Sequence, residues 1–121
     1  MTVLAWGARV SPEFRERVRD IAAEVETSPS WLMACMAFET GRTFSPSVRN
    51  PGSSATGLLQ FMESTARGLG TTTEALARMT ALEQLEYVLA YFKPFTGRLG
   101  TLADVYMAIL WPPAVGQPDD Y

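Results

Sequence analysis

The chain contains no histidine and a single cysteine, and no apolar run approaches the ~20 residues that a membrane-spanning helix requires. Without histidine there is no imidazole base, no histidine-centred triad and little basis for a zinc site, so no metal or other cofactor is implied. The one thiol, Cys35, has no partner for an internal disulfide. Its neighbours in Trp31-Leu32-Met33-Ala34-Cys35-Met36-Ala37-Phe38 are apolar, which predicts a buried, inert thiol. A nucleophilic cysteine would need a base beside it, and the usual one is missing. The opening stretch MTVLAWGARVSPEF lacks the basic and long apolar segments of a signal peptide. A soluble protein made in the cytoplasm, without an integral membrane segment, is therefore expected; work elsewhere would need separate delivery.

Positive charge is also scarce. The net charge is −3 and no basic stripe stands out, so nucleic acid is not an expected partner. Arg15, Arg17 and Arg19 do cluster, but Glu13, Glu16 and Asp20 are interleaved with them. That pattern predicts a solvated helix face with Glu13 paired to Arg17. There is no internal repeat and no low-complexity tract. What remains is 121 residues with 47% hydrophobic and 19% charged side chains, the make-up of one globular domain over residues 1–121.

Helix signals dominate. Ser11-Pro12 reads as a cap followed by a first helical position, and Phe14, Val18, Ile21 and Val25 then repeat on one helical face. Ser28-Pro29 repeats the device and opens a helix to Thr40, stopped by Gly41. Residues 42–57 hold two prolines, two glycines and four serines. They predict a long irregular loop, with room for a short hairpin through residue 60. MESTARGLG and TTTEALARM read as short helices, the second with a threonine cap. Thr80 precedes a helix whose stripe is Leu82, Leu85, Val88, Leu89 and Phe92, ended by Lys93-Pro94. Thr101 begins a last helix halted by Trp111-Pro112-Pro113. The expectation is a mainly α fold of about five or six helices with one elaborate loop at 42–60.

Glu39 closes the most apolar of these helices. A carboxylate there faces the negative end of the helix dipole and unpaired terminal carbonyls, and burial would add a desolvation cost. Each effect favours the neutral acid and raises the pKa. A carboxylic acid that keeps its proton near neutral pH suits general-acid chemistry, such as protonating a glycosidic oxygen.

The segment ETGRTFSPSVRNPGSSATGLLQFMESTA resembles the signature of lytic transglycosylases of the Slt type, which have a lysozyme-like α+β fold. Glu39-Thr40 matches the Glu-Ser of that pattern and Phe44-Ser45-Pro46 its Phe-x-Pro. Gly57-Leu58-Leu59-Gln60 matches Gly-Leu-Met-Gln, and Phe61-Met62 with Thr65-Ala66 complete it over roughly 30 residues, in order and spacing. The resemblance implies that Glu39 is the catalytic acid and then base, and that Thr40 lies close to acid and substrate. It also implies that Gln60 offers its amide to a sugar substituent while Phe61 and Met62 shape the groove. The substrate implied is the peptidoglycan glycan strand, cut between N-acetylmuramic acid and N-acetylglucosamine.

Only one acid in the motif is expected to do chemistry, since Glu63 and Asp104 read as charges at helix starts. One acid fits a transglycosylase, where the substrate's own C6 hydroxyl attacks. Hydrolysis by a lysozyme-type muramidase, cleavage of chitin oligomers, and a catalytically silent glycan-binding module of a phage particle stay open. The Ala-Tyr-Asn-Ala-Gly segment common near the family's end is replaced here by DVYMAILWPPAVG. Tyr106 and Trp111 are the candidates there, as a hydroxyl and as a stacking face. The missing signal peptide together with the resemblance implies a phage, prophage or injected product, acting in the periplasm or on the cell wall, with other particle proteins as further partners.

Overall fold

The computed structural model describes residues 4–115; of the single domain expected over 1–121, residues 1–3 and 116–121 lie outside the described residues. Six α-helices follow one another: α1 Pro12–Val25, α2 Pro29–Glu39, α3 Glu63–Gly68, α4 Thr73–Arg78, α5 Ala81–Phe92 and α6 Leu102–Leu110. The fold is thus mainly helical, as the periodicity predicts. Among the described residues no helix is long and apolar enough to cross a membrane.

The starts of the helices follow from short polar side chains that accept otherwise orphaned N–H groups. Ser11 Oγ accepts from the Phe14 N–H at 3.1 Å, Thr72 from Ala75 at 3.0 Å and Thr101 from Asp104 at 3.1 Å. Thr80 and Glu83 close a reciprocal capping box at the head of α5. Ser28 differs from expectation: its hydroxyl makes no cap bond, and α2 is opened by Pro29 at its first position.

α1 lies at the centre, packed on both α2 and α5, with α6 against the other side of α2. Its predicted face is buried as read: Phe14, Val18, Ile21 and Val25 join Leu32, Met33 and Met36 of α2 and Leu85, Val88 and Phe92 of α5 in one core. The arginine cluster is not the simple solvated face expected. Arg17 forms a bidentate pair with Glu86 of α5, both contacts at 2.7 Å, in place of a pair with Glu13. Arg15 turns back to donate to the carbonyls of Gly7 at 2.7 Å and Val10 at 2.9 Å, anchoring the 3₁₀ turn Gly7–Arg9. Packing on α5 and on the N-terminal turn offers these guanidiniums fixed partners across the fold.

Between α2 and α3 the chain forms the predicted loop, stitched by two single-residue antiparallel bridges, Arg49 with Thr56 and Thr56 with Phe61. Its organiser is Gln84 of α5, which is fully buried. Gln84 Oε1 accepts from the Leu58 N–H at 2.7 Å, while Nε2 donates to the carbonyls of Pro46 at 3.0 Å and Leu76 at 2.9 Å. The backbone at Gly57 passes so close that a Cβ there would lie 2.2 Å from Gln84 Oε1, and its φ is +82°. Glycine is required on both counts.

Candidate functional site

Glu39 is the last residue of α2 and is half-buried. Among the described residues no hydrogen bond or ion pair engages its carboxylate, and burial pushes its pKa up from the ordinary carboxylate value. The cause differs in part from the one the sequence suggests. The carbonyls expected to be unpaired at this helix end are capped: Thr40 N–H bonds Met36 O at 3.0 Å, Arg42 N–H bonds Ala37 O at 2.7 Å and Gly41 N–H bonds Phe38 O at 3.4 Å. Desolvation is left as the named origin of the shift.

Three groups sit within electrostatic range of Glu39. Cys35, one turn earlier on α2, is buried; burial first, then the Glu39 charge, pushes its thiol up to about 12. That makes it the inert thiol expected. Tyr91 of α5 and Tyr106 of α6 are both raised above the usual phenol value, chiefly by burial, with Glu39 contributing to each. Tyr106 donates its hydroxyl to Ala34 O at 3.3 Å and meets the Phe38 ring edge to face, centroids 5.8 Å apart. The hydroxyl that the sequence offers as a site candidate is thus engaged by the α2 main chain, in the helix that carries the acid.

Tyr91 was not among the sequence candidates. Its hydroxyl donates to Ala108 O at 2.5 Å, tying α5 to α6, and its ring meets Phe61, Phe92 and Phe95 with centroids 5.9, 5.5 and 6.3 Å away. A signal for it existed, since Gln84, Val88 and Tyr91 recur at four and three residues on the apolar side of α5. A tyrosine or glutamine on such a stripe needs a polar partner.

The remaining candidates separate. Thr40 is buried, and its hydroxyl is used twice, donating to Met36 O at 2.7 Å and accepting from the Phe44 N–H at 2.9 Å. It fixes the turn that follows the acid and has no surface to offer a substrate. Gln60 lies in the left-handed region at φ 53°, and its amide nitrogen donates to Val48 O and Gly57 O, both at 3.0 Å. The amide expected to reach a sugar holds the loop together in this structure. Phe61 is buried against Tyr91, so it shapes the site from beneath and not as an open wall. Met62 and Trp111 are exposed, at 46% and 59%, and among the described residues no interaction joins either to Glu39.

Glu63 is committed elsewhere. Its Oε1 accepts from the Thr73 hydroxyl at 2.7 Å and the Thr73 N–H at 3.1 Å, and Oε2 pairs with Arg67 Nε at 2.7 Å. The Thr73 hydrogen bonds, with Arg67 adding to them, hold its carboxyl below the ordinary range. Its role is to pin the start of α4, in line with the structural part the sequence suggests. Among the described residues, three of the five non-glycine residues with positive φ, Arg42, Phe44 and Gln60, fall in the loop after Glu39, so backbone strain gathers in that loop. Among the described residues no three His, Cys, Asp or Glu side chains gather to hold a metal ion.

Compared with family models, curated proteins and solved structures, the chain matches none.

Proposed function

We propose that the protein cleaves the β-1,4 bond between N-acetylmuramic acid and N-acetylglucosamine in peptidoglycan, by a lytic transglycosylase mechanism with Glu39 as its one catalytic carboxyl. The observation that carries this reading is Glu39 itself: a half-buried, unpaired acid whose pKa is raised by burial, within electrostatic range of two tyrosines and followed by the loop that bears the motif. The protonated carboxyl gives its proton to the glycosidic oxygen as the bond to C1 of the muramoyl residue breaks. The carboxylate so formed takes the proton of the C6 hydroxyl as that oxygen bonds to C1. The product carries a 1,6-anhydro end, and no water is consumed. Glu63, the other acid of the motif, is tied to Thr73 and Arg67, which favours one-acid chemistry over a pair of carboxylates. Such an enzyme works at the cell wall, in phage release, in a virion or as an injected protein.

The test is digestion of purified sacculi with products read by mass spectrometry. Anhydro-ended muropeptides from wild type and none from Glu39→Gln are expected. Reducing ends would turn the assignment to a muramidase. Absence of release with binding retained would leave a silent glycan-binding module.

A further inference from the structure

A cleft of about 370 Å³ is lined by Trp6, Ala34, Ala37, Phe38, Arg42 and Tyr106 among others. Its size is that of a small-ligand site. Two aromatic residues are left open to solvent there, Phe38 at 67% and Trp6 at 38% exposure. Trp6 is held in place by its surroundings. It sits at φ 62° at the head of the 3₁₀ turn that Arg15 anchors, and the neighbouring Ala5 N–H bonds Ser30 Oγ of α2 at 3.2 Å.

Arg42, which lines the same cleft and is also in the left-handed region, holds its guanidinium over the Trp6 ring, 5.9 Å from its centre. No carboxylate among the described residues lies within ion-pair distance of it, and no acid lines the cleft. In a chain of net charge −3, a guanidinium that has no acidic partner and lies over one exposed ring, in a cleft that a second exposed ring also lines, selects for an anion. The guanidinium fork matches a carboxylate, and the rings match an apolar or alkyl body. A bare neutral sugar would use the rings and waste the charge. The larger cleft along α1 shows the contrast: Glu13, Glu16 and Asp20 line it with Arg17, whose guanidinium is already paired with Glu86, so the acids outweigh it and disfavour the same ligand.

We infer that this cleft binds a carboxylate-bearing peptide attached to the glycan strand, with Arg42 holding the carboxylate and Phe38 and Trp6 the body of the peptide. The identity of the strand rests on the glycan-cleavage reading. Phe38 precedes Glu39 in the chain and Tyr106 borders both places, so a peptide seated here sets the position of the strand relative to the acid.

The test measures binding in the Glu39→Gln protein, where turnover cannot interfere. The probes are a disaccharide carrying an acidic tetrapeptide, the same disaccharide without peptide, and the free tetrapeptide. The peptide-bearing disaccharide should bind at least five-fold tighter than either of the others, and the indole N–H resonance of Trp6, assigned with Trp6→Phe, should shift on its addition. Arg42→Gln should erase the preference while leaving affinity for the bare disaccharide unchanged. Phe38→Ala should weaken the same binding, with circular dichroism showing both variants folded. Equal affinity for the two disaccharides, or a preference that survives Arg42→Gln, would overturn the peptide site. Wild type that leaves sacculi uncut while the Arg42-dependent preference persists would overturn the cleavage reading alone. Cutting without that preference would overturn the peptide site alone.

Discussion

Glu39 combines exposure enough to meet a ligand with burial enough to resist ionisation. Glu39→Gln keeps the shape and removes the proton donor, so activity on sacculi should fall by roughly 10²- to 10⁴-fold, the usual share of a general acid. Stability should move the other way. A carboxyl whose folded pKa lies above its unfolded value holds its proton longer in the folded state. Its presence therefore lowers stability as pH rises from the unfolded value, ~4.3, through the folded one. Urea titrations should find Glu39→Gln more stable than wild type at neutral pH, with the gap closing below pH ~4. A constant gap across that window would contradict a buried acid. The place of Glu39 at the end of an apolar run made it a possible acid, and the resemblance of the segment that follows to a known motif singled it out. Thr40 and Gln60 were misread in role because a sequence shows that a hydroxyl or amide is present, not that the main chain has already claimed it.

At the scale of elements, the helices hold the site through a few buried polar links. Gln84 is the strongest of them, one side chain serving α5, the Leu58 turn and the loop at Pro46. Gln84→Leu would strand the buried Leu58 N–H and the Pro46 carbonyl, while Leu76 O keeps the Met79 N–H, and should cost about 2 kcal/mol or more in urea unfolding. Gly57→Ala meets both a forbidden φ and a 2.2 Å clash, and should cost at least about 2 kcal/mol. Tyr91→Phe keeps the ring contacts and removes only the bond to Ala108 O, which predicts a loss of about 1 kcal/mol, read as a lower urea midpoint at unchanged slope. The helices themselves were readable because caps, prolines and apolar spacing are local signals. Leu82 shows the limit of that reading: it falls on the predicted stripe of α5 yet is 42% exposed, because the core face turns toward Gln84 and Leu85.

For the molecule as a whole, the proposed peptidoglycan substrate brings the net charge of −3 up against an anionic wall. Long-range repulsion is screened by salt, so the initial rate on sacculi should rise as ionic strength increases from ~0.01 to ~0.15 M. A rate that falls over that range would mean that local positive charge governs binding. The single core that joins α1, α2, α5 and α6 makes the acid's surroundings part of the main fold and not of a separate lobe.

By itself the sequence determined the helical class, most helix starts and the buried thiol, because each depends on neighbours a few residues away. Only the tertiary structure decided that Tyr91 and Tyr106 feel the charge of the acid, that Gln84 ties down the glycine loop, and that Arg42 faces Trp6 without a carboxylate partner. Those pairings join residues dozens of positions apart, and whether two such side chains meet depends on how helices cross, which no local spacing encodes.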